Sequence, residues 1–217
     1  MTNSRWLREF ATRVFDSAFA AVSLLVLSPL LVAAALLVLM CDGRPILFRQ
    51  TRVGMRGSPF RIIKFRTMRR LAEGAPITAS GDRRVTTAGA WLRRFKIDEL
   101  PQLLNVLFGD MSVIGPRPEV PEFVDHDDGL WREVLGVRPG ITDLASLTFR
   151  DEEAILGAAP NPAVHYRSVI LPEKLRLNVR YQRSRSLSRD LKLLWMTGRY
   201  SFFPRGFSRE RILRALG

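Results

Sequence analysis

One uncharged segment constrains this chain more than any other feature of its sequence. Residues 17–41, SAFAAVSLLVLSPLLVAAALLVLMC, form a run of 25 residues without a charged side chain. A helix of about 20 apolar residues is long enough to cross the hydrocarbon core of a bilayer. Secretory signal peptides have shorter apolar regions and a small-residue cleavage site. The segment therefore predicts insertion into a membrane.

The flanks and the middle of this segment indicate how it meets the membrane. Arginines lie on both sides of it, at Arg5, Arg8 and Arg13 before it and at Arg44, Arg49, Arg52 and Arg56 after it. Positively charged flanks favour the cytoplasmic side, so both ends are expected on one face. At Ser28-Pro29, proline removes a helical hydrogen bond and the serine hydroxyl can satisfy a freed carbonyl. These features favour a re-entrant helix over the alternative, a kinked spanning helix.

The net charge of the chain indicates a polyanionic partner. Lys and Arg number 34 against 21 acids, which gives a formal charge of +13 and a pI of about 11.2. Nucleic acid, anionic lipid headgroups and phosphorylated substrates all fit such a charge. The single cysteine, Cys41, excludes an intramolecular disulfide, and the two histidines, His126 and His165, leave little for a zinc site.

Short elements are predicted after the apolar segment. Residues 46–68, ILFRQTRVGMRGSPFRIIKFRTM, read as a small β-hairpin, and residues 71–81 as a loop. Residues 87–96 read as a short amphipathic helix with Leu92 and Phe95 inward. Pro101 either bends that helix or begins the next one. Residues 187–203 suit core packing and a membrane interface equally, the latter because of Trp195 and Tyr200.

These elements predict an α+β fold. We expect a mostly helical, membrane-associated domain with a re-entrant helix hairpin, interfacial amphipathic helices and a small β element. Residues 1–45 would form the membrane segment with its flanks, and residues 46–217 a single domain on the membrane surface.

Two adjacent acids, Asp98 and Glu99, stand between a basic run and an apolar one. Neighbours in a helix point about 100° apart, so the two carboxylates are expected to have different roles. An aspartate has a reference pKa of about 3.9, and the ionised form can attack phosphorus if the phosphate charge is neutralised. Mg²⁺ suits one or two carboxylates together with substrate phosphates, which makes both acids candidate magnesium ligands.

The surroundings of the acids offer both a functional and a structural interpretation. Arg94 could pair with Asp98 four residues later, and a helix start at Pro101 would add N–H groups favourable to an anion. Other basic residues could contact phosphate, namely Arg66, Arg93, Lys96 and Arg117. Alternatively, Asp98 is a helix N-cap and Glu99 a first-turn acid. The acidic run at residues 125–129 could bind metal, although a solvated loop is the commoner role.

Several motifs occur in a particular order along the chain. They are the Ser28-Pro29 break, FRQTRVG…FRIIKFRTM, DRRVTTAGAWLRRFKIDELPQLLNVLFGDMSVIGPRP, RPGIT and LPEKLRLNVRYQRSRSLSRDL. Together they resemble, over almost the whole chain, the bacterial sugar transferases known as monotopic phosphoglycosyl transferases. The resemblance implies a re-entrant, non-spanning helix in the bacterial inner membrane, with a catalytic domain that faces the cytoplasm. It also implies transfer of a sugar 1-phosphate from a UDP-sugar to polyprenol phosphate, with Mg²⁺ and with release of UMP.

The resemblance also assigns roles to individual residues. In this family the aspartate of the Asp-Glu pair is the nucleophile that forms a covalent phosphosugar intermediate, which implies Asp98, and the adjacent acid, Glu99, assists metal and phosphate. The substrate-binding residues that it implies are Arg93, Pro116, Arg117, Pro118, Lys64 and Arg66. Anionic membrane lipids are further expected partners. The sequence departs from the family pattern at Asp143 and Ser146, within PGITDLAS, and at Asn178, although Asp190 is kept, and these departures bear on sugar specificity.

Two other classes of protein compete with this enzyme. A basic, membrane-tethered nucleic-acid binder would explain the charge, but neither a recognition-helix pattern nor an aromatic RNA-binding motif accompanies it. We therefore expect no nucleic-acid partner. A membrane-surface scaffold without catalysis would explain residues 187–203, but it leaves the Asp-Glu pair and the Pro-Arg-Pro motif without a purpose.

Overall fold

The computed structural model describes residues 3–69, 78, 80–203, 206 and 208–216, with side chains at all of these except 3–6, 8 and 202. The predicted loop at residues 71–81 lies mostly outside the described residues. The helices are α1 (Asn3–Val26), α2 (Ser28–Asp42), α3 (Thr87–Arg94), α4 (Gln102–Phe108), α5 (Gly129–Val134), α6 (Leu144–Thr148), α7 (Glu152–Gly157), α8 (Pro162–His165), α9 (Leu171–Arg183), α10 (Leu187–Phe202) and α11 (Arg209–Leu216). The strands are β1 (Leu47–Val53), β2 (Pro59–Phe65), β3 (Ser112–Ile114) and β4 (Gly140–Thr142). The fold is thus mostly helical with small sheets, which confirms the α+β class.

The apolar segment forms two helices, α1 and α2, that meet at a bend of 64°. Pro29 has no N–H to donate to the carbonyl of Leu25, four residues earlier, and the Ser28 hydroxyl donates to that carbonyl instead at 2.7 Å. The bend therefore has the cause that the sequence predicts. Within the described residues no single helix is long and apolar enough to cross a membrane. The bent pair, from Glu9 to Asp42, satisfies that requirement by length and composition.

Strands β1 and β2 form the predicted hairpin. They pair antiparallel from Leu47 opposite Phe65 to Val53 opposite Pro59. The side chain of Asn105, buried on α4, accepts from the main-chain N–H of Ile63 at 3.0 Å and donates to the carbonyl of Arg61 at 2.8 Å. Because a buried amide is costly unless its hydrogen bonds are made, these contacts fix α4 against the hairpin.

A second, parallel pair of strands was not predicted from the sequence. Ser112 of β3 lies opposite Gly140 of β4, and Ile114 opposite Thr142. A Cβ atom on Gly140 would lie 2.1 Å from the main-chain nitrogen of Gly115, so only glycine allows the two chains to approach this closely. The glycine of the RPGIT motif thus holds β4 against the start of the Pro-Arg-Pro motif.

Among the described side chains of helix α1, Asp16 and Arg13 bond to later parts of the chain. Asp16 is buried and accepts from the Ser112 hydroxyl at 2.7 Å and from the N–H of Val113 at 3.0 Å. Arg13 donates to the carbonyls of Val106 and Leu107, at 2.5 and 2.7 Å, where α4 ends. These bonds pack α1 against α4 and β3. The division of the chain at residue 45 stays a prediction.

Residues 187–203, for which core packing and a membrane interface were both considered, form helix α10 almost entirely. This helix has features of both interpretations. Leu187, Leu191 and Trp195, spaced four residues apart, are exposed, whereas Leu193 and Tyr200 are buried. Tyr200 therefore lies in the core, and the expectation that it suits a membrane interface was wrong. One face of the helix packs and another carries an exposed apolar stripe.

Candidate active site

A cleft of about 2110 Å³ lies beside the acidic pair. Its lining includes residues of the β-hairpin, α3, the Pro-Arg-Pro motif, α6 and α7 as well as parts of α1 and α10. Asp98, Glu99, Arg93, Arg117 and Lys64 all line it. Arg66 lines it as well, so the structure brings together, in one cleft, six of the residues that were predicted to act on substrate. Pro116 and Pro118 belong to the loop that carries Arg117.

Asp98 reaches the cleft because the chain changes direction just before it. Lys96 has a left-handed backbone (φ 58°), which ends α3 and starts a 3₁₀ turn over Ile97–Glu99. Asp98 is 7% exposed, and its Oδ1 atom has no hydrogen-bond partner among the described residues. Burial, and then the charge of Glu99, raise the pKa of Asp98, while Lys64 acts in the opposite direction. Its ionised form is therefore less favoured than the reference pKa suggests.

Two structural expectations for Asp98 were wrong. Asp98 is not an N-cap, because Pro101 occupies the position before α4. The N–H groups of Leu100, Leu103 and Leu104 donate to carbonyls within the same turns, so these three groups are not available to an anion. The left-handed Lys96 also breaks the helical spacing between Arg94 and Asp98, and the Arg94 guanidinium lies over the Phe95 ring instead.

Glu99 is held by two cations. Lys64 Nζ donates to Oε1 at 3.0 Å, and the Arg117 guanidinium donates to Oε1 at 2.5 Å and to Oε2 at 3.1 Å. Burial raises the pKa of Glu99, but Arg117 and Lys64 outweigh it and hold the pKa well below the usual value. Burial lowers the pKa of Lys64 to about 8. The environment thus pushes the pKa values of the two neighbouring carboxyls apart, a pattern that separates their chemical roles.

The Pro-Arg-Pro motif is positioned through its main chain. The Pro116 carbonyl accepts from Gly140 N at 2.9 Å, and the Pro118 carbonyl accepts from Arg52 Nη1 at 3.2 Å. Arg117 N donates to Asp143 Oδ2 at 3.1 Å. The prolines therefore contribute loop shape, and only the arginine of the motif makes a side-chain contact with the acidic pair.

The departure from the family pattern at Asp143 has a structural role. Asp143 is 2% exposed, caps α6 by accepting from the N–H of Ser146 at 2.8 Å, and also accepts from the Ser146 hydroxyl at 2.6 Å. Its second oxygen also receives the Arg117 N–H. Asp143 thus ties α6 to the loop that carries Arg117.

Arg93 and Arg66 lie in the cleft but do not contact the acidic pair. Arg93 forms an ion pair with the half-exposed carboxylate of Glu153. Arg66 donates to the main-chain carbonyls of Asp42, Gly43 and Arg44, the latter two at 2.8 and 2.9 Å. Arg66 therefore closes the C-terminal end of α2, which is a structural role that the sequence analysis did not predict.

The sequence also did not predict a buried charged cluster next to the Pro-Arg-Pro motif. Glu119, directly after Pro118, accepts from the Tyr166 hydroxyl and lies 3.7 Å from Lys174 Nζ and 3.9 Å from Arg52 Nη1. Lys174 in turn donates to Glu152 Oε2 at 2.8 Å. Burial raises the pKa of Glu119, but Lys174 and Arg52 outweigh it and lower the pKa overall. The only signal in the sequence is that Lys174 occupies an inward position of amphipathic α9.

The described residues hold no group of three or more His, Cys, Asp or Glu side chains that could bind a metal ion by themselves. The acidic run at residues 125–129 is an exposed loop, in which Asp125 accepts from the N–H of Asp127 and Asp128 caps α5. This confirms the solvated-loop interpretation. A cation beside Asp98 and Glu99 would thus need further ligands from a substrate.

A buried carboxylate with a free oxygen, next to a second carboxylate held by Arg and Lys, is an arrangement suited to attack on a phosphorylated substrate. The comparisons with known proteins agree with this class. Residues 7–203 match the model of the bacterial sugar transferase family, and the chain belongs to that family.

Curated relatives carry names of one reaction type. The chain is 38% identical over 190 residues to a UDP-glucose:undecaprenyl-phosphate glucose-1-phosphate transferase of Caulobacter vibrioides, an alignment that covers 85% of this chain and 67% of that protein. It is 34% identical to the enzyme of the same name from Escherichia coli, over 85% of this chain and 39% of that protein. A UDP-N-acetylgalactosamine-undecaprenyl-phosphate N-acetylgalactosaminephosphotransferase of Aeromonas hydrophila is 43% identical over 64% of this chain and 34% of its own length. Most of each of the last two proteins thus lies outside the alignment.

Proposed function

We propose that this protein transfers a sugar 1-phosphate from a UDP-sugar to undecaprenyl phosphate and releases UMP. This would be the first membrane step in the synthesis of a bacterial glycoconjugate or exopolysaccharide. The observation that carries the proposal is the buried Asp98 carboxylate in a cleft beside the Glu99–Lys64–Arg117 network, with one oxygen that no described residue contacts by a hydrogen bond. The names of the relatives, which specify both substrates, support it.

Asp98 is the nucleophile of the first step. One carboxylate oxygen attacks the sugar-bearing phosphorus of the UDP-sugar. The bond between that phosphorus and the bridging oxygen of the diphosphate breaks, and UMP leaves with the electron pair. The product on the protein is an acyl phosphate that carries the sugar. Because burial raises the pKa of Asp98, the cations around it must help to keep it ionised.

Arg117, Lys64 and Arg93 neutralise the diphosphate in this scheme. Arg117 can contact two phosphate oxygens at once through its planar guanidinium, and Lys64 contributes a compact charge. In the free protein these cations are paired with carboxylates: Arg117 and Lys64 with Glu99, and Arg93 with Glu153. Donor binding would therefore require an exchange of partners.

The residues at the site fit a magnesium ion that shares its ligands with substrate. Among the described residues, Asp98 Oδ1 has no hydrogen-bond partner, and Glu99 Oε2 accepts one hydrogen bond, from Arg117. Asp98 and Glu99 would hold Mg²⁺ together with phosphate oxygens and water. The ion would supply additional neutralisation of the diphosphate charge.

In the second step a phosphate oxygen of undecaprenyl phosphate attacks the same phosphorus. The bond to Asp98 breaks, the carboxylate is regenerated, and the product is a sugar linked to the lipid through a diphosphate. This step requires the cleft to face a membrane. We infer that α1 and α2 enter the inner membrane as a re-entrant hairpin from the cytoplasmic side, with the flanking arginines against anionic lipid headgroups. The exposed stripe of Leu187, Leu191 and Trp195 on α10 would lie at the membrane surface.

Trapping the intermediate tests this function. Purified protein is incubated with a labelled UDP-sugar and Mg²⁺ in the absence of acceptor, and its intact mass is measured. We expect the wild-type protein to gain one phosphosugar, and Asp98→Asn, which keeps the size of the side chain, to gain none and to lose turnover. The control is Asp127→Asn, in an exposed loop, which should behave as wild type. Normal turnover by Asp98→Asn would refute the covalent route, and absence of UMP release with every UDP-sugar tested would refute the function.

A further inference from the structure

We propose that an uncharged lobe of the cleft, between α1 and α10, binds the hydrocarbon chain of the lipid acceptor next to its phosphate. This inference rests on the proposed function, because it assumes a prenyl phosphate acceptor. It identifies a part of the site that neither the family match nor the names of the relatives assign to any residue.

The α1 side of the lobe is a single helical face. Phe19 and Ser23 of α1, four residues apart, line the cleft, and so does Leu27 at the bend directly after α1. An adjacent face of the same helix, with Leu25 and Val26, is exposed and apolar. The lobe is thus bounded by the helix that is proposed to enter the membrane, close to the bend between α1 and α2.

On the α10 side of the lobe, too, one helical face lines the cleft and another face is exposed and apolar. Leu194, Thr197, Gly198 and Ser201, at helical spacings of three and four residues, line the cleft. The exposed Leu187, Leu191 and Trp195 lie on another face of that helix. Both walls of the lobe therefore have apolar outer faces, as expected if the lobe opens toward a lipid phase.

The floor of the lobe leads to the acidic pair. Val113 of β3 and Ile141 of β4 line the cleft. Asp16 attaches α1 to β3, and the Thr197 hydroxyl of α10 hydrogen-bonds to that of Thr142 in β4 at 2.8 Å. The chain that leaves β3 carries Arg117, which contacts Glu99. A chain in the lobe would therefore have its head near the catalytic cations.

The distribution of charged side chains along the cleft favours an amphiphilic ligand. The lining residues that α1, α10, β3 and β4 contribute include no charged side chain, whereas α3, α7 and the β-hairpin contribute many. A nucleotide sugar is polar over its whole length and would leave the uncharged lobe unmatched. A prenyl phosphate has one charged end and one hydrocarbon end, which matches the two parts of the cleft.

Gly198 allows the lobe to be blocked without disturbing the core. Apart from its chain neighbours and the local helix backbone, a Cβ atom built on Gly198 meets no described atom within 4 Å, so a larger side chain has open space there. Glycine also weakens a helix interior, so larger residues are favourable for α10 itself. Gly198→Phe should therefore fill the lobe in a folded protein, which a thermal unfolding measurement checks.

The experiment separates the two half-reactions. The first is followed by phosphosugar adduct formation from a labelled UDP-sugar without acceptor. The second is followed by discharge of that adduct on addition of undecaprenyl phosphate in detergent micelles. We expect Gly198→Phe to form the adduct as wild type does but to lower kcat/KM for undecaprenyl phosphate about tenfold or more. The control is Leu191→Phe on the exposed face of α10, outside the cleft lining, which should stay within about twofold of wild type.

Direct binding of undecaprenyl phosphate, measured without any donor, provides a readout independent of the chemistry. Weaker binding to Gly198→Phe than to wild type and Leu191→Phe supports the lobe as the acceptor site even if the covalent route is wrong. Wild-type binding and wild-type discharge by Gly198→Phe overturn the proposal. Loss of adduct formation in a folded Gly198→Phe also overturns it, because the lobe would then belong to the donor.

Discussion

Glu99 pairs with the cations that are proposed to bind the donor diphosphate, so its replacement should change the affinity for UDP. In the free protein Glu99 accepts hydrogen bonds from both Lys64 and Arg117. Without magnesium, a diphosphate that enters the site must share these cations with Glu99 and meets the negative charge of that carboxylate. Glu99→Gln removes the charge and keeps the size of the side chain. We expect this variant to bind UDP more tightly than wild type when magnesium is absent.

The size of the effect follows from Coulomb's law. Lys64 and Arg117 bridge Glu99 and the incoming phosphate, which places the two anions on the order of 5 Å apart. At an effective dielectric constant of about 20, the repulsion between two unit charges at that distance is about 3 kcal/mol. Removal of this repulsion corresponds to an affinity gain of about two orders of magnitude. The same substitution leaves buried cations uncompensated, so the free protein should lose roughly 3–5 kcal/mol of stability.

Isothermal titration calorimetry with UDP tests this reasoning. In EDTA, Glu99→Gln should bind UDP more tightly than wild type, and magnesium should strengthen binding by wild type far more than binding by the variant. Glu133→Gln is the control, because it removes an acid that pairs with Arg183 outside the cleft lining and should change UDP affinity little. UDP affinity of Glu99→Gln in EDTA equal to or below that of wild type would show that Glu99 does not compete with the phosphates.

Two further predictions concern stability and the membrane segment. The pKa of Glu119 is lowered in the folded protein, so its ionised form stabilises the fold above the unfolded pKa, and this contribution is lost as the pH falls through the folded value. Glu119→Gln should thus lower the free energy of unfolding by roughly 3 kcal/mol at neutral pH and make that free energy less dependent on pH in the acid range. Denaturant titration at several pH values measures both effects. An unchanged pH dependence would contradict the stabilising role of ionised Glu119. Replacement of Ser28 and Pro29 by Ala and Leu should restore the missing helical hydrogen bond and favour a spanning topology. Cysteine labelling before and after the segment would then report opposite membrane faces, and labelling on one face would show that other contacts hold the bend.

The sequence predicted features that depend on local chemistry. The break at Pro29, the satisfaction of a carbonyl by Ser28, the β-hairpin and the amphipathic α3 all follow from proline geometry, turn residues and periodicity. The parallel pair β3–β4 could not be predicted in this way, because each strand is only three residues long and shows no periodicity. Its glycines are visible in the sequence, but their close approach depends on the tertiary fold.

The candidate site shows the same division between local and tertiary information. Asp98, Glu99 and Arg117 were identified from motifs, and the structure brings them together. The left-handed backbone of Lys96, which separates Asp98 from Arg94, has no sequence signal because lysine rarely adopts it. The burial of Asp98, which raises its pKa, and the burial of Glu119 with Lys174 depend on residues distant in sequence. Side-chain environment, as opposed to residue identity, is therefore what the sequence could not provide.

The contacts around α2 connect the apolar hairpin to the position of the nucleophile. Arg66, which was expected to bind phosphate, donates instead to the carbonyls at the end of α2. The carboxylate of Asp42 in that last turn accepts from the Thr86 hydroxyl at 2.8 Å, and Thr86 also caps α3 through Gly89 N. Helix α3 leads directly into the left-handed Lys96 and so into the turn that carries Asp98. Since a misplacement of about 1 Å can cost about a hundredfold in rate, the end of the apolar segment is part of what positions the catalytic carboxylate.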